Sequence, residues 1–165
     1  MVQKTKNLSL SNEESNFKNE IVENLNSDNC TKGSTKDFKS FGFKESILKS
    51  LDKKGYINPT PIQIAAIPEL IQGRDLLGQA QTGTGKTAAF ALPIIDKLEN
   101  NNESKAKVLV MTPTRELATQ VADSFKSYSS ESKDLKTIAI YGGTDFRNQI
   151  SSLKRKTDIV VGTPG

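Results

Sequence analysis

The sequence predicts an α/β protein built on a largely parallel sheet. Three observations predict it. Short apolar runs that read as strands alternate with segments of helical period from residue 75 to residue 161. Two of those runs, Val108–Met111 and Ile159–Val161, are unbroken apolar stretches, as expected of parallel strands buried on both faces. The run Ala80-Gln81-Thr82-Gly83-Thr84-Gly85-Lys86-Thr87 joins a strand-like segment, Asp75-Leu76-Leu77, to a helical one starting at Lys86.

Taken in order, residues 1–37 hold seven Asn, five Ser and few large apolar residues, and read as a mostly disordered extension. Within them Ser11 and Glu14 resemble a capping box, and Phe17, Ile21 and Leu25 fall at helical spacing, which fits a short transient helix. The pattern changes at Phe38, and residues 38–165 read as the folded part. Ile47, Leu48 and Leu51 give an amphipathic helix closed by Gly55. Pro59-Thr60-Pro61 punctuates, and Ile62 to Ile71 reads as a second helix. Pro61 suits its first turn, while Pro68 should interrupt or kink it. Gly73 ends it. After the strand Asp75–Leu77 comes the Gly-rich loop, then a helix from Lys86 to Leu98 with a kink expected at Pro93. Asn100-Asn101-Asn102 is a loop. Lys107–Met111 is a strand, Arg115 to about Ser130 a helix, and Thr137–Tyr141 a strand. Asp145–Lys154 is a helix and Asp158–Val161 a fourth strand.

Composition excludes whole classes of chemistry. The chain has no His and one Cys, Cys30, so His-based triads, His metal sites and disulfide frameworks are excluded, and structural zinc in practice. No apolar run approaches the roughly 20 residues of a membrane span, and the N-terminus has no apolar signal region. A cytoplasmic protein without a membrane partner is the expectation. Of the net charge of +4, residues 1–37 carry −1 and residues 38–165 carry +5. A mildly basic body suits an anionic partner and an ordinary solvated surface equally well.

The loop Ala80–Thr87 has the A/G-x-x-x-x-G-K-[ST] pattern of a phosphate cradle. Gly83 and Gly85 let successive N–H groups turn inward, and the helix start adds partial positive charge. In such a loop Lys86 reaches the β/γ-phosphates and the Thr87 hydroxyl sits on Mg²⁺. Gln63 follows the Pro-rich turn that holds Thr60. Its carboxamide can pair with N6–H₂ and N7 of adenine together, whereas guanine offers two acceptors there. Alone, a Gln after such a turn is more often a surface residue; beside a phosphate loop it reads as a base reader. Thr112-Pro113-Thr114-Arg115-Glu116-Leu117-Ala118 fits a capped helix start, with Thr114 as N-cap, better than it fits an anion site. Gly142-Gly143 and Thr163-Pro164-Gly165 follow the next strands in the same way. All these turns lie at one edge of a parallel sheet, where α/β proteins bind ligands. As a set they suit a nucleic-acid backbone read without sequence preference, RNA being chosen by 2′-OH and shape. Tight βα turns also favour Gly, Thr and Pro for their own sake.

With these motifs in order, residues 38–165 resemble the amino-terminal part of a DEAD-box ATP-dependent RNA helicase of bacterial type. Phe38, 17 residues before Gly55, is similar to the family's isolated adenine-stacking aromatic. Gly55–Gln63 resembles the Q motif, Ala80–Thr87 motif I and Pro113–Ala118 motif Ia. Gly142-Gly143 with Gln149 resembles the GG motif, and Thr163-Pro164-Gly165 the start of motif Ib. The resemblance implies a RecA-like P-loop domain, the first of two. It implies ATP with Mg²⁺ at Phe38, Thr60, Gln63 and the loop residues Ala80, Gln81, Thr82, Gly83, Thr84, Gly85, Lys86 and Thr87. RNA would lie on Pro113, Thr114, Arg115, Gly142, Gly143, Gln149, Thr163, Pro164 and Gly165.

The chain departs from that family by ending at Gly165. The Asp-Glu-Ala-Asp acids, the Ser-Ala-Thr motif and the second domain with its arginines are not among these residues. No catalytic residue is therefore expected here, and the 165 residues are expected not to hydrolyse ATP unaided. The domain is expected to be incomplete, with a gap in the sheet between Leu76–Leu77 and Val108–Met111 and an aggregation-prone edge. Alternatives are a non-hydrolysing nucleotide- or RNA-binding module and a truncated product without function. A P-loop NTPase of another family is more distant, because Gln63 and Pro113–Ala118 argue against it.

Overall fold

The computed structural model describes residues 37–99, 106–132, 134–143 and 146–164. The readings made for residues 1–36, the Asn100–Asn102 loop, Asp145 and Gly165 lie outside the described residues. A 3-10 turn at Phe38–Phe41 opens the fold. Helices α1 (Glu45–Lys53), α2 (Pro61–Ile71) and α3 (Lys86–Leu98) follow. Then strands and helices alternate: β1 (Val108–Met111), α4 (Arg115–Tyr128), β2 (Thr137–Ile140), α5 (Phe146–Lys154) and β3 (Ile159–Gly162).

The sheet is parallel with order β1-β3-β2. β3 is central: Ile159 is level with Val108 on one side and with Thr137 on the other. Its Ile159 and Val161 are fully buried, as an unbroken apolar run in a central parallel strand should be. One core holds the fold. Ala91, Leu92 and Ile95 of α3 meet Ala118, Ala122 and Phe125 of α4, with Ile47 and Leu51 of α1 and Ile67 of α2 closing it.

Local chemistry sets the helix limits. Gly85, at φ +85°, turns the chain into α3. The Thr114 hydroxyl accepts from Leu117 N–H at 3.2 Å and starts α4. Pro61 occupies the first turn of α2, where no N–H is needed.

Three expectations are corrected. Asp75–Leu77 is not a strand. Residues 74–80 carry no regular structure, and Leu76 and Leu77 are exposed. A strand exists only through its ladder, and the strand nearest in the expected order, β1, ladders with β3 alone among the described residues. For the same reason β1 is buried on one face only: its burial alternates, with Leu109 at 66% and Met111 at 53% exposure. Finally, the interruption allowed for at Pro68 does not occur: α2 runs through that residue, as α3 runs through Pro93. Packing of the two helices on each other outweighs the hydrogen bond that each proline removes.

Candidate nucleotide and nucleic-acid site

The loop between residue 80 and α3 is folded around its own lysine. Gly83 and Gly85 both have positive φ, +82° and +85°, which L side chains rarely adopt. The Thr84 hydroxyl donates to the Gln81 carbonyl at 2.7 Å. Lys86 Nζ donates to the carbonyls of Ala80 and Gln81, the latter at 2.6 Å. Ala80, Gln81, Thr82, Gly83 and Thr84 therefore form a ring of backbone closed by a cation. Lys86 and Thr87 also line a groove of about 460 Å³ whose remaining walls are mostly apolar, among them Ile62, Phe90, Val110 and Leu117.

Gln63 is tied into this loop. Its Oε1 accepts from Thr60 N–H at 2.9 Å, the reach-back half of a capping box. Its Nε2 donates to the Gly85 carbonyl at 3.1 Å. A carboxamide has four hydrogen-bond positions; these two bonds leave one donor and one acceptor position. Gly85 is required by contact as well as by φ, because a Cβ there would strike the Gln63 amide and sit 3.4 Å from the Thr60 hydroxyl. Thr60, Gln63 and the loop thus form one hydrogen-bonded unit, and the fit to a polyphosphate with an adenine at one end rests on it. For Mg²⁺ the fit is partial. Thr87 supplies a hydroxyl, and no group of three or more metal-ligating side chains occurs among the described residues.

Phe38 stands apart from this unit. It is 4% exposed, packed edge-on to Phe41 and tilted against Tyr56, which in turn meets Tyr128. It lines a separate cavity of about 200 Å³ with Tyr56 and Ile57. Burial, followed by the neighbouring Tyr56, pushes the Tyr128 phenol up.

A second group gathers at the sheet's carboxyl edge. Pro113, Thr114, Arg115, Thr163 and Pro164, with Glu116, line one open cavity of about 450 Å³. The Arg115 guanidinium abuts Gly143: Nη1, Nη2 and Cζ would stand 2.5 to 2.8 Å from a Cβ there. Gly142 and Gly143 are therefore joined to the same surface. Gln149 faces elsewhere: its carboxamide accepts from Tyr141 N–H and donates to Tyr141 C=O, both at 3.0 Å. Glu116, fully exposed, is held below the ordinary carboxylate range by its own backbone N–H, then by the Thr114 hydroxyl and the Arg115 charge.

The family model described as DEAD/DEAH box helicase matches residues 60–165. The chain belongs to the DEAD/DEAH box helicase family. Two relatives are each 48% identical over 128 residues, 78% of this chain. The DEAD-box ATP-dependent RNA helicase RhpA of Helicobacter pylori is matched over 25% of its length. The ATP-dependent RNA helicase CshA of Listeria monocytogenes is matched over 24%. The chain thus spans about a quarter of the length of the curated relatives it matches. Among solved structures, a DEAD box protein from the hyperthermophile Methanococcus jannaschii superposes with a TM-score of 0.72 at 42% identity, covering 78% of this chain and 35% of that one. The α/β fold with its small parallel sheet is thus part of a DEAD-box RecA-like domain.

Two features of this helicase-family site were not read from the sequence. The Thr60-x-x-Gln63 spacing of a capping box was available as a signal for the Gln63–Thr60 bond. Nothing local signals that Gln149 closes on Tyr141 eight residues earlier.

Proposed function

We propose that residues 38–165 are the ATP-reading and RNA-touching part of the first RecA-like domain of an ATP-dependent RNA helicase that acts in the cytoplasm. One observation carries the reading: Gln63, Gly85 and Lys86 belong to a single hydrogen-bonded unit, so a base reader and a phosphate cradle share one frame. The relatives RhpA and CshA, both named ATP-dependent RNA helicases, support it.

In this reading, arriving β/γ-phosphates take over Lys86 from the carbonyls of Ala80 and Gln81. The turn amides and the start of α3 complete the cradle. Thr87 would give one ligand to Mg²⁺, which would supply positive charge against the phosphates. Adenine takes the remaining positions on Gln63, with Thr60 holding that side chain in place. Phe38 stacks on the base only after leaving its cavity beside Tyr56. RNA lies by its backbone on Pro113, Thr114 and Arg115, the Gly142-Gly143 turn and Thr163-Pro164-Gly165, with Gln149 behind them. Coupling of RNA affinity to the γ-phosphate would drive local duplex opening in the whole protein.

The 165 residues alone bind and do not hydrolyse. Cleavage needs a carboxylate for the metal and another for the attacking water, and the Asp-Glu-Ala-Asp acids are not in this sequence. The test is phosphate release by the purified chain with and without RNA, beside binding of a fluorescent ATP analogue. Binding without release is expected. RNA-stimulated release would overturn the second half of the reading, and absence of binding the first.

A further inference from the structure

We infer that Gln149 is a positioning residue: its carboxamide acts as a substitute strand that fixes the Tyr141-Gly142-Gly143 turn and, through Gly143, aims the Arg115 guanidinium at an anionic backbone. This rests on the RNA-binding reading above and adds a route by which one uncharged side chain controls the site's charge.

The sheet ladder fixes which way Tyr141 faces. The N–H and C=O of successive residues in a strand point to opposite edges. The Ile140 carbonyl accepts from Thr163 N–H at 3.2 Å, so Ile140 faces β3. Tyr141 must then face the outer edge of β2, where no strand lies among the described residues. An open edge leaves one donor and one acceptor to satisfy. Gln149, on the first turns of α5, offers one acceptor and one donor in the geometry of a peptide group, and both bonds form at 3.0 Å. Glu at neutral pH would keep only the acceptor, and Met would keep neither.

The consequence lies two residues on. Gly143 has φ +78° and no Cβ, and the guanidinium of Arg115 occupies the space a Cβ would need. Arg115 also lines the cavity shared by Pro113, Thr114, Thr163 and Pro164. The turn is therefore the platform on which the cation rests. Freeing Tyr141 lets the platform move, and a long flexible side chain follows it.

Charge bookkeeping separates this from two simpler roles. For single strands, each phosphate neutralised adds about 0.7 to the slope of log affinity against log salt. The experiment compares the 165-residue chain with Gln149→Ala, Arg115→Ala and the double variant. It measures binding to a single-stranded RNA oligonucleotide over a salt series, with the Arg115 Nε–H and Tyr141 amide signals followed by NMR in the same samples. Positioning predicts that Gln149→Ala lowers the slope by about 0.7, as Arg115→Ala does, and that the double variant adds little. It also predicts a shifted Arg115 Nε–H signal and a Tyr141 amide exchanging about fivefold faster, as expected for one lost hydrogen bond. Weaker binding with an unchanged slope, additive with Arg115→Ala, would mean a direct Gln149–RNA contact and overturns the inference. A lower melting temperature with Arg115 and the slope unmoved would mean a mere edge cap and overturns it too. If the unaltered chain binds no RNA, the RNA reading fails, and the Arg115 and Tyr141 signals still decide the positioning claim. Should Gln149→Ala not fold, Gln149→Met, uncharged and of similar size, loses both bonds and gives the same tests.

Discussion

Gln63 shows how one side chain can serve structure and recognition together. It holds the Thr60 N–H that opens α2 and the Gly85 carbonyl that precedes Lys86. Replacing it with Ala removes both part-buried bonds; the Gly85 carbonyl keeps the Ala89 N–H, while the Thr60 N–H loses this partner, at a cost of about 1 kcal/mol or more. Gln63→Ala is therefore expected to lower the urea midpoint and to erase any preference for ATP over GTP. A stable variant that still prefers ATP would assign base reading to another residue. The turn at Gly83 and Gly85 was legible because its glycines and Lys86 are contiguous and their chemistry is local. The tie from Gln63 to Gly85 was not, because it spans 22 residues and depends on how α2 meets α3. Phe38 carries the same lesson: spacing places it in the chain, while packing against Phe41 and Tyr56 decides its exposure.

Helix α4 joins the cap of an element to the candidate RNA surface. Thr114 caps it and also draws down the Glu116 carboxyl. Thr114→Ala should cost about 1 kcal/mol of stability. A lowered folded-state pKa means that Glu116 stabilises the fold above its ordinary value of 4.5 and loses that contribution as pH falls through the folded value. Thermal melts between pH 7 and pH 3 should therefore show a smaller acid-side loss in Thr114→Ala than in the unaltered chain. An identical pH profile would show that the hydroxyl does not reach Glu116. Elements with internal signals were read well, and α3 runs from Lys86 to Leu98 as its sequence predicts. Asp75–Leu77 was misread because a strand belongs to a ladder, and its apolar pattern says nothing about a partner.

At the scale of the molecule the sheet is held from one side. Among the described residues β1 shares a ladder with β3 only, and Leu76, Leu77, Leu109 and Met111 remain exposed around it. An apolar parallel edge of this kind invites edge-to-edge association. Leu109→Lys is expected to raise the concentration at which light scattering appears while changing stability by no more than about 0.5 kcal/mol, as at other surface positions. A large drop in melting temperature would mean that Leu109 is covered in solution. The parallel order was legible from alternating strands and helices, whereas the open side of β1 depended on which strands were present to cover it.

The central claim is that one frame reads adenine and holds its phosphates. Isothermal titration of MgATP and MgGTP into the 165-residue chain and its Lys86→Ala variant tests it most directly. Saturable binding of one ATP, weaker binding of GTP and loss of both with Lys86→Ala are predicted. Equal affinity for the two nucleotides, or ATP binding untouched by Lys86→Ala, would contradict the account.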